Sequence, residues 1–131
     1  MSLSIPYNPS FLPSAPVIDC TVSIPDSTQS SSRTLPAIVD SGASISVVPQ
    51  KIVTELGLVK VDKMLVAGYK EATAIRFEDV YSAKVSVSPF DKKVHRVIVT
   101  DAEHACIGRD LINNWTVTLR GKQGIIEIEE G

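Results

Sequence analysis

One carboxyl group stands out in the chain, because a short apolar run ends on it and a turn of small residues follows. The stretch Ala37–Ser44 reads Ala-Ile-Val-Asp-Ser-Gly-Ala-Ser and places Asp40 at its centre. A carboxyl group at the end of a hydrophobic strand is partly desolvated, which changes how readily it holds its proton and makes it a candidate acid or base. Gly42 lets the backbone turn sharply, and the Ser41 hydroxyl can hydrogen-bond locally or across a symmetry axis.

The tripeptide Asp-Ser-Gly is also ordinary turn chemistry, and on its own it marks a turn far more often than an active site. A similar stretch, Ile24–Thr28, lacks the glycine, so we interpret its Asp26 as a loop residue. Two later features favour the catalytic interpretation. One is a glycine-bearing hairpin at Leu65–Tyr69, and the other is Ala105–Ile112, which reads Ala-Cys-Ile-Gly-Arg-Asp-Leu-Ile.

These three motifs, in this order, resemble the retropepsin family, the aspartic proteases of retroviruses, retrotransposons and related bacterial proteins. The resemblance covers about residues 17–120. It implies an all-β fold, a closed retropepsin-like β-barrel half with one or two short helices. It also implies an aspartic endopeptidase that hydrolyses a peptide or protein substrate and needs no metal or other cofactor.

The resemblance implies a role for each matching residue. Asp40 would be the catalytic aspartate, and the catalytic loop would be supported by Ser41, Gly42 and Ala43. A flap that closes over substrate would have its tip at Val66, Ala67, Gly68 and Tyr69. A structural step packed behind the loop would consist of Ile107, Gly108 and Arg109, the arginine bracing the loop.

Three features depart from the compact viral enzymes and make the chain more similar to bacterial and retrotransposon-like members. A helix is predicted at Pro49–Leu56, where Pro49 can open it and Gly57 can end it. The predicted flap has a single glycine, Gly68. The C-terminus is predicted to form a hairpin where the family has one terminal strand, which leaves open how two subunits pair.

The chain carries one Asp-Ser-Gly, since its other aspartates lack a following Ser/Thr-Gly. A lone carboxylate activates water poorly, whereas two facing carboxylates share one proton and offer an acid and a base at once. The second carboxylate therefore has to be Asp40 of another copy, and a two-fold homodimer is the simplest arrangement. The predicted activity is peptide cleavage at mildly acidic pH.

Other interpretations stay open. One is a catalytically inactive domain of the same fold, used for dimerisation or for binding an extended peptide by strand addition. Another is an unrelated small β-barrel or sandwich with an exposed Asp40. A zinc site at His95, His104 and Cys106 is less favoured than two surface histidines and a buried thiol, because no further ligand cluster appears. A serine nucleophile would need a histidine base that no sequence feature identifies.

The surrounding sequence predicts the elements that must position these residues. Alternating or β-branched runs predict strands, and two glycines between such runs predict a hairpin. The predicted strands are Val17–Ile24, Leu35–Val39, Ile45–Val48, Ala83–Ser88 and Val94–Thr100, with hairpins at Met64–Lys70 and at Thr116–Glu129. A short helix is predicted at Arg109–Asn114, followed by Trp115 as a core residue.

Length and composition predict one globular domain, with 131 residues of which 44% are hydrophobic. Residues 1–16 are predicted to be a proline-rich N-terminal arm, biased toward polyproline II, and residues 17–131 the protease domain. A net charge of −2 without a basic patch argues against nucleic-acid binding. No apolar run approaches the roughly 20 residues that span a bilayer, so no membrane association is expected. The N-terminus does not resemble a signal peptide, which predicts a cytoplasmic protein with free thiols.

Overall fold

The strands that the sequence predicts around Asp40 are present, and the strands of the chain make up two sheets. In the computed structural model, the described residues are 1–25, 31–67 and 75–130. Within them the strands are β1 Ser2–Pro6, β2 Val17–Ser23, β3 Ser32–Val39, β4 Val47–Pro49, β5 Val59–Ala67, β6 Ile75–Ser86, β7 Lys93–Thr100, β8 Ala105–Ile107, β9 Thr116–Arg120 and β10 Ile125–Glu129. The helices are α1 Gln50–Leu56 and α2 Arg109–Ile112.

The larger sheet has seven strands in the order β2-β3-β8-β4-β7-β6-β5. It curls so that β2 also pairs with β6, where Thr21–Ser23 lies antiparallel to Lys84–Ser86. Six strands therefore form a barrel-like ring, and β5 extends from it as the outer arm of a hairpin with β6. The all-β class with two short helices is confirmed, although the ring is not strictly closed, because three residue pairs alone join β2 to β6.

The alternation that predicted β2 decides which side of the sheet faces the core. Ile18, Cys20 and Val22 are almost completely buried, whereas Asp19 between them is exposed. The main core cluster is completed by side chains from nearly every element, including Leu35, Ala37, Val85, Val97, Ile107 and Leu111. Burial of these apolar side chains is the main force that holds the ring together.

Helix α1, Gln50–Leu56, forms where the sequence predicts a helix. Pro49 precedes its first residue, and Gly57 ends it in the left-handed conformation with φ of 65°, where its N–H donates to the Thr54 carbonyl. Ile52, Val53 and Leu56 point into the core. A glycine is favoured at this position because a Cβ is strained at positive φ. In the described part of the chain, no helix is long and apolar enough to cross a membrane.

The smaller sheet contains the two ends of the chain in the order β1-β10-β9. The predicted C-terminal hairpin is confirmed, since Thr116–Arg120 pairs antiparallel with Ile125–Glu129. The polyproline II prediction is wrong for part of the arm, because Ser2–Pro6 pairs along the other side of β10. Leu3 and Ile5 pack against the main core, and this burial outweighs the bias that proline imposes.

Several predicted elements differ from the structure in their bounds. The strand predicted at Ala83–Ser88 overlaps only the end of β6, which begins at Ile75 and ends at Ser86. The hairpin predicted within Met64–Lys70 has its second arm further along the chain, because Ala67 pairs with Ile75. Helix α2 ends at Ile112 rather than Asn114. The strand predicted at Ile45–Val48 is observed at Val47–Pro49. Ser46 is not part of it, because its N–H and hydroxyl donate to the side chain of Asp110. Trp115 is half-buried and its ring centroid lies 4.9 Å from that of Phe90.

Candidate active site

Asp40 is placed by two parallel strands that end together. Strands β3 and β8 lie parallel, with Val39 opposite Ile107 at their final residues. The ladder continues one step further, because the Asp40 N–H donates to the Ile107 carbonyl at 2.9 Å. The turn that follows β3 and the Gly108 that follows β8 therefore leave the sheet side by side.

The turn itself is closed by the Asp40 carboxylate and backbone. The Gly42 N–H donates to Asp40 Oδ1 at 2.8 Å, and the Ala43 N–H donates to the Asp40 carbonyl at 3.2 Å. Asp40 is partly exposed, and Ser41 and Gly42 are exposed. Within the described part of the chain, Asp40 Oδ2 has no hydrogen-bond partner. The structure therefore fixes one carboxylate oxygen of a side chain that is itself partly exposed.

A second set of hydrogen bonds joins the residues after the turn to the start of α2. Ser46 is 1% exposed, and its N–H and hydroxyl donate to the two oxygens of Asp110 at 2.9 and 2.8 Å. The Ser46 hydroxyl also accepts from the Gly108 N–H at 3.1 Å. The amide and hydroxyl of this buried serine are thus satisfied by residues more than 60 positions away in sequence, and its carbonyl accepts from the Ile98 N–H at 3.3 Å.

Arg109 and Gly108 complete the contact between the two segments. The Arg109 N–H donates to the Ala43 carbonyl at 2.8 Å, and its Nη1 donates to the Ser41 carbonyl at 2.7 Å. A Cβ at Gly108 would lie 2.9 Å from backbone atoms of Ala43 and Ile45. Glycine is therefore required at this position for a steric reason, since real Cβ atoms do not come so close to backbone.

Cys106 faces a second, smaller core cluster between the turn and the β5–β6 hairpin. Val47, Val80 and Ile98 form this cluster, and the partly buried side chains packed against it belong to Ile45, Met64, Val66 and Cys106. Burial, and to a lesser degree the nearby Asp40 carboxylate, raises the pKa of the Cys106 thiol. The prediction of a buried core thiol is wrong for Cys106, which is half-buried beside the turn.

The predicted flap tip lies on the same hairpin. Val66 is half-buried against the second cluster, and Ala67 is the last residue of β5. Gly68 and Tyr69 lie outside the described residues. A depression of about 520 Å³ is lined by Met64 of β5, by residues beside the turn and by residues of β7 and α2: Ser44, Ile45, Val94, His95, Arg96 and Asp110. Asp40 itself is not in this wall.

The sequence analysis missed Ser46 and Asp110. Each carried a weak signal: a serine at the start of an apolar run, and a carboxylate in the first turn of a predicted helix, where it is ordinarily explained by the helix dipole. Neither signal shows that the two side chains meet.

The remaining candidates do not converge on a second site. His95 is exposed on β7, and the His104 ring packs edge-on against Phe11 at 5.1 Å. Among residues 1–25, 31–67 and 75–130, no group of three or more His, Cys, Asp or Glu side chains is arranged to hold a metal ion. Cys20 and Cys106 are both free.

The fold agrees with comparisons to known proteins. The model of the retroviral aspartyl protease family matches residues 14–120, so the chain belongs to that family. The comparison with curated protein sequences gave no match.

Three solved structures have a similar fold at low sequence identity. A retropepsin-like aspartic protease from Rickettsia conorii superimposes with a TM-score of 0.67 at 13% identity, covering 99% of this chain and 91% of its own. The EIAV protease, complexed with the inhibitor HBY-793, gives 0.53 at 19% identity, with 83% and 92% covered. The simian foamy virus (mac) protease gives 0.51 at 19% identity, with 75% and 92% covered.

Proposed function

We propose that the chain is an aspartic endopeptidase that works as a homodimer, with Asp40 of each copy forming the catalytic pair on the two-fold axis. The observation that carries this proposal is the state of Asp40 in the single chain. Its turn is fixed by bonds to Gly42, Ile107 and Arg109, yet Asp40 itself is partly exposed and its second carboxylate oxygen has no hydrogen-bond partner among the described residues. A second copy that covers this surface would supply the other carboxylate.

The chemistry requires the second carboxylate. Like charges a few ångströms apart cannot both ionise easily, so the pair of Asp40 carboxyl groups holds one proton between them. The ionised carboxylate removes a proton from a water, which attacks the scissile carbonyl, and the protonated one donates to the carbonyl oxygen. The apparent pKa values of such a pair belong to the dimer as a whole.

The neighbouring residues would hold the pair and the substrate in place. Ser41 is exposed beside the carboxylate, where its hydroxyl can bond across the axis, and Gly42 leaves the backbone accessible to substrate. Ile107, Gly108 and Arg109 fix the turn from behind. An extended peptide would lie between the turn and the hairpin that carries Val66 and Ala67, with Gly68 and Tyr69 at the proposed flap tip.

The test is peptide cleavage by wild type and by Asp40→Asn across pH 3 to 8, with pepstatin as a transition-state mimic. Asparagine keeps the acceptor for the Gly42 N–H but cannot share a proton, so we expect a normal fold and no cleavage. Asp91→Asn is the matched control, because Asp91 is exposed and away from the turn. Cleavage by Asp40→Asn at the wild-type rate would overturn the proposal.

A peptide-binding domain without catalysis is the second candidate. In the described part of the chain, β5 pairs with β6 alone, which leaves its other edge open to strand addition. This candidate predicts saturable peptide binding with no cleavage at any pH, and with equal affinity for wild type and Asp40→Asn. A cytoplasmic location remains a prediction from the sequence.

A further inference from the structure

The outer face of the β5–β6 hairpin carries three exposed apolar side chains. Met64 and Val66 pack inward against the second cluster, so Leu65 between them points to the opposite face, because successive side chains of a strand alternate. On β6, Phe77 lies directly opposite Leu65, and Ile75 lies on the same face two residues away. Leu65, Ile75 and Phe77 are exposed by 58%, 67% and 70% and make up what we name the outer patch.

The outer patch has the character of an interaction surface. Single exposed apolar side chains are ordinary on a folded protein, whereas neighbouring ones on one face mark a place where another molecule binds. Met1, Leu12 and Leu119 are exposed to a similar or greater degree, but they belong to the N-terminal arm and to β9. The hairpin is therefore the element on which exposed apolar side chains lie side by side.

A charged pair borders the outer patch on the same face. Lys63 lies two residues before Leu65, and its cross-strand partner is Asp79, two residues after Phe77. Asp79 Oδ1 also pairs with Lys60 Nζ at 3.1 Å. The face therefore presents one cross-strand pair of opposite charges, followed by one cross-strand pair of apolar side chains.

We infer that the outer face of this hairpin binds the outer face of the same hairpin in a second copy, about a two-fold axis that runs along the strands. Rotation about this axis lays β5 of each copy over β6 of the other. Each residue of β5 then lies over the residue that is already its cross-strand partner in its own chain, at the roughly 10 Å spacing of packed sheets. The inference does not rest on the proposed function, and the contact is separate from the one that would join two Asp40 turns.

The outer face is complementary to itself under this rotation. Leu65 of each copy lies against Phe77 of the other, so apolar side chains meet twice. Lys63 of each copy lies against Asp79 of the other, so opposite charges meet twice at the border. A two-fold interface requires this match between a patch and itself. The match in both charge and apolar character is the reason for assigning the outer patch to a second copy of this chain.

The contact should be weak and should form at high protein concentration. Stable interfaces bury about 800 Å² on each partner, which is more than a few partly exposed side chains supply. In the proposed homodimer each copy has one hairpin, so the contact would join dimers to each other. It would also restrain a hairpin that has to open for substrate, a consequence that does rest on the proposed function.

Sedimentation velocity from micromolar to millimolar concentration tests the contact. We expect a final association step in wild type that doubles the mass. Phe77→Lys should weaken this step roughly tenfold or more, because it places an unpaired charge in the apolar contact. Leu12→Lys is the matched control, since it changes a leucine of the N-terminal arm that is 95% exposed. Equal association of wild type and Phe77→Lys would overturn the inference.

Charge reversal tests the alignment of the two hairpins. Lys63→Glu sets two carboxylates against each other across the contact, and Asp79→Lys sets two ammonium groups against each other, so each variant alone should associate several-fold more weakly than wild type. Mixing the two variants brings opposite charges together again, and association should return toward the wild-type level. A change confined to one chain cannot be repaired in this way, so the absence of any gain on mixing would contradict the contact.

The same measurements separate this inference from the proposed function and from other occupants. Wild type that cleaves peptide, with association insensitive to Phe77→Lys, would support the endopeptidase and contradict the contact. Association that Phe77→Lys abolishes, in a protein that cleaves no peptide, would do the reverse. Wild type that does not self-associate but binds phosphatidylcholine vesicles, while Phe77→Lys does not bind them, would assign the outer patch to a lipid surface and overturn the inference.

Discussion

The turn that carries Asp40 and the hairpin formed by β5 and β6 are held in place in different ways. Hydrogen bonds with Ile107, Gly108, Arg109 and Asp110 attach the turn and the residues after it to a segment more than 60 residues away. The hairpin is held by its own ladder and by inward contacts to the second cluster. Its outer face is uncovered, with the cross-strand pair Leu65 and Phe77 exposed by 58% and 70%.

The difference indicates that the turn is held more rigidly than the hairpin. A catalytic carboxylate must stay within a fraction of an ångström of its working position, and hydrogen bonds from independent segments provide that precision. A flap has to open for substrate, and elements that move are drawn from the less stable part of a structure. Variants in the turn should therefore lower the free energy of unfolding much more than variants in the hairpin. The expected effects are given from the largest to the smallest.

Gly108→Ala should have the largest effect. The new Cβ would lie 2.9 Å from the backbone of Ala43 and Ile45, which cannot move without shifting the turn. We expect a loss of about 3 kcal/mol of unfolding free energy and of most cleavage activity. Gly121→Ala is the control, since a Cβ there meets nothing within 4 Å. Urea denaturation measures both, and equal stability of the two variants would show that the turn is not tightly held.

Ser46→Ala should lower the free energy of unfolding by about 2 kcal/mol. The substitution removes the hydroxyl between Asp110 and Gly108 and leaves buried polar groups unpaired. The exposed Ser44→Ala should be close to neutral. The cleavage rate of Ser46→Ala should fall while the pH profile keeps its shape. If Ser46→Ala matches Ser44→Ala in stability, these hydrogen bonds do not hold the turn.

The main core, which contains Cys20, should weaken at alkaline pH. Burial, reinforced by the charge of Asp19, raises the pKa of Cys20 to about 12 from an ordinary value of 9.0. Between these values the unfolded chain loses the thiol proton and the folded chain keeps it, so stability is full below pH 9 and declines up to about pH 12. At pH 10 the loss should be about 1.4 kcal/mol relative to neutral pH.

Cys20→Val should abolish this alkaline loss, measured as the difference between urea unfolding at pH 7 and pH 10. Cys106→Ala should retain most of it, because Cys106 is half-buried outside the main core. An identical pH dependence in wild type and Cys20→Val would contradict the assignment to Cys20.

Phe77→Ala should have the smallest effect, because it removes an exposed cross-strand contact with Leu65. We expect the free energy of unfolding to fall by less than about 1 kcal/mol. Val97→Ala, in the fully buried core, should cost about 2 kcal/mol. Hydrogen exchange should show amides of β5 opening at lower free energy than those of Val39 and Ile107. Equal protection in the two regions would remove the contrast between turn and hairpin.

The sequence was enough to locate Asp40, Gly108 and Arg109, because sharp turns and close backbone approaches demand particular residues at particular places. The bonds between Ser46 and Asp110 could not be predicted, since contacts across 64 residues depend on how the sheet curls. Strand β1 was missed for a similar reason. Its prolines indicate an extended arm, and pairing with β10 together with the tertiary contacts of Leu3 and Ile5 makes part of that arm a strand.

Subunit mixing is the most direct test of the claim that two Asp40 side chains form one site. Wild type at a fixed concentration, high enough to be dimeric, is mixed with increasing Asp40→Asn and allowed to exchange before peptide cleavage is measured. If both carboxylates are needed, the activity per wild-type chain falls in proportion to the wild-type fraction, because mixed dimers are inactive. Activity that stays constant as Asp40→Asn is added, while mixed dimers form, would contradict a shared catalytic pair.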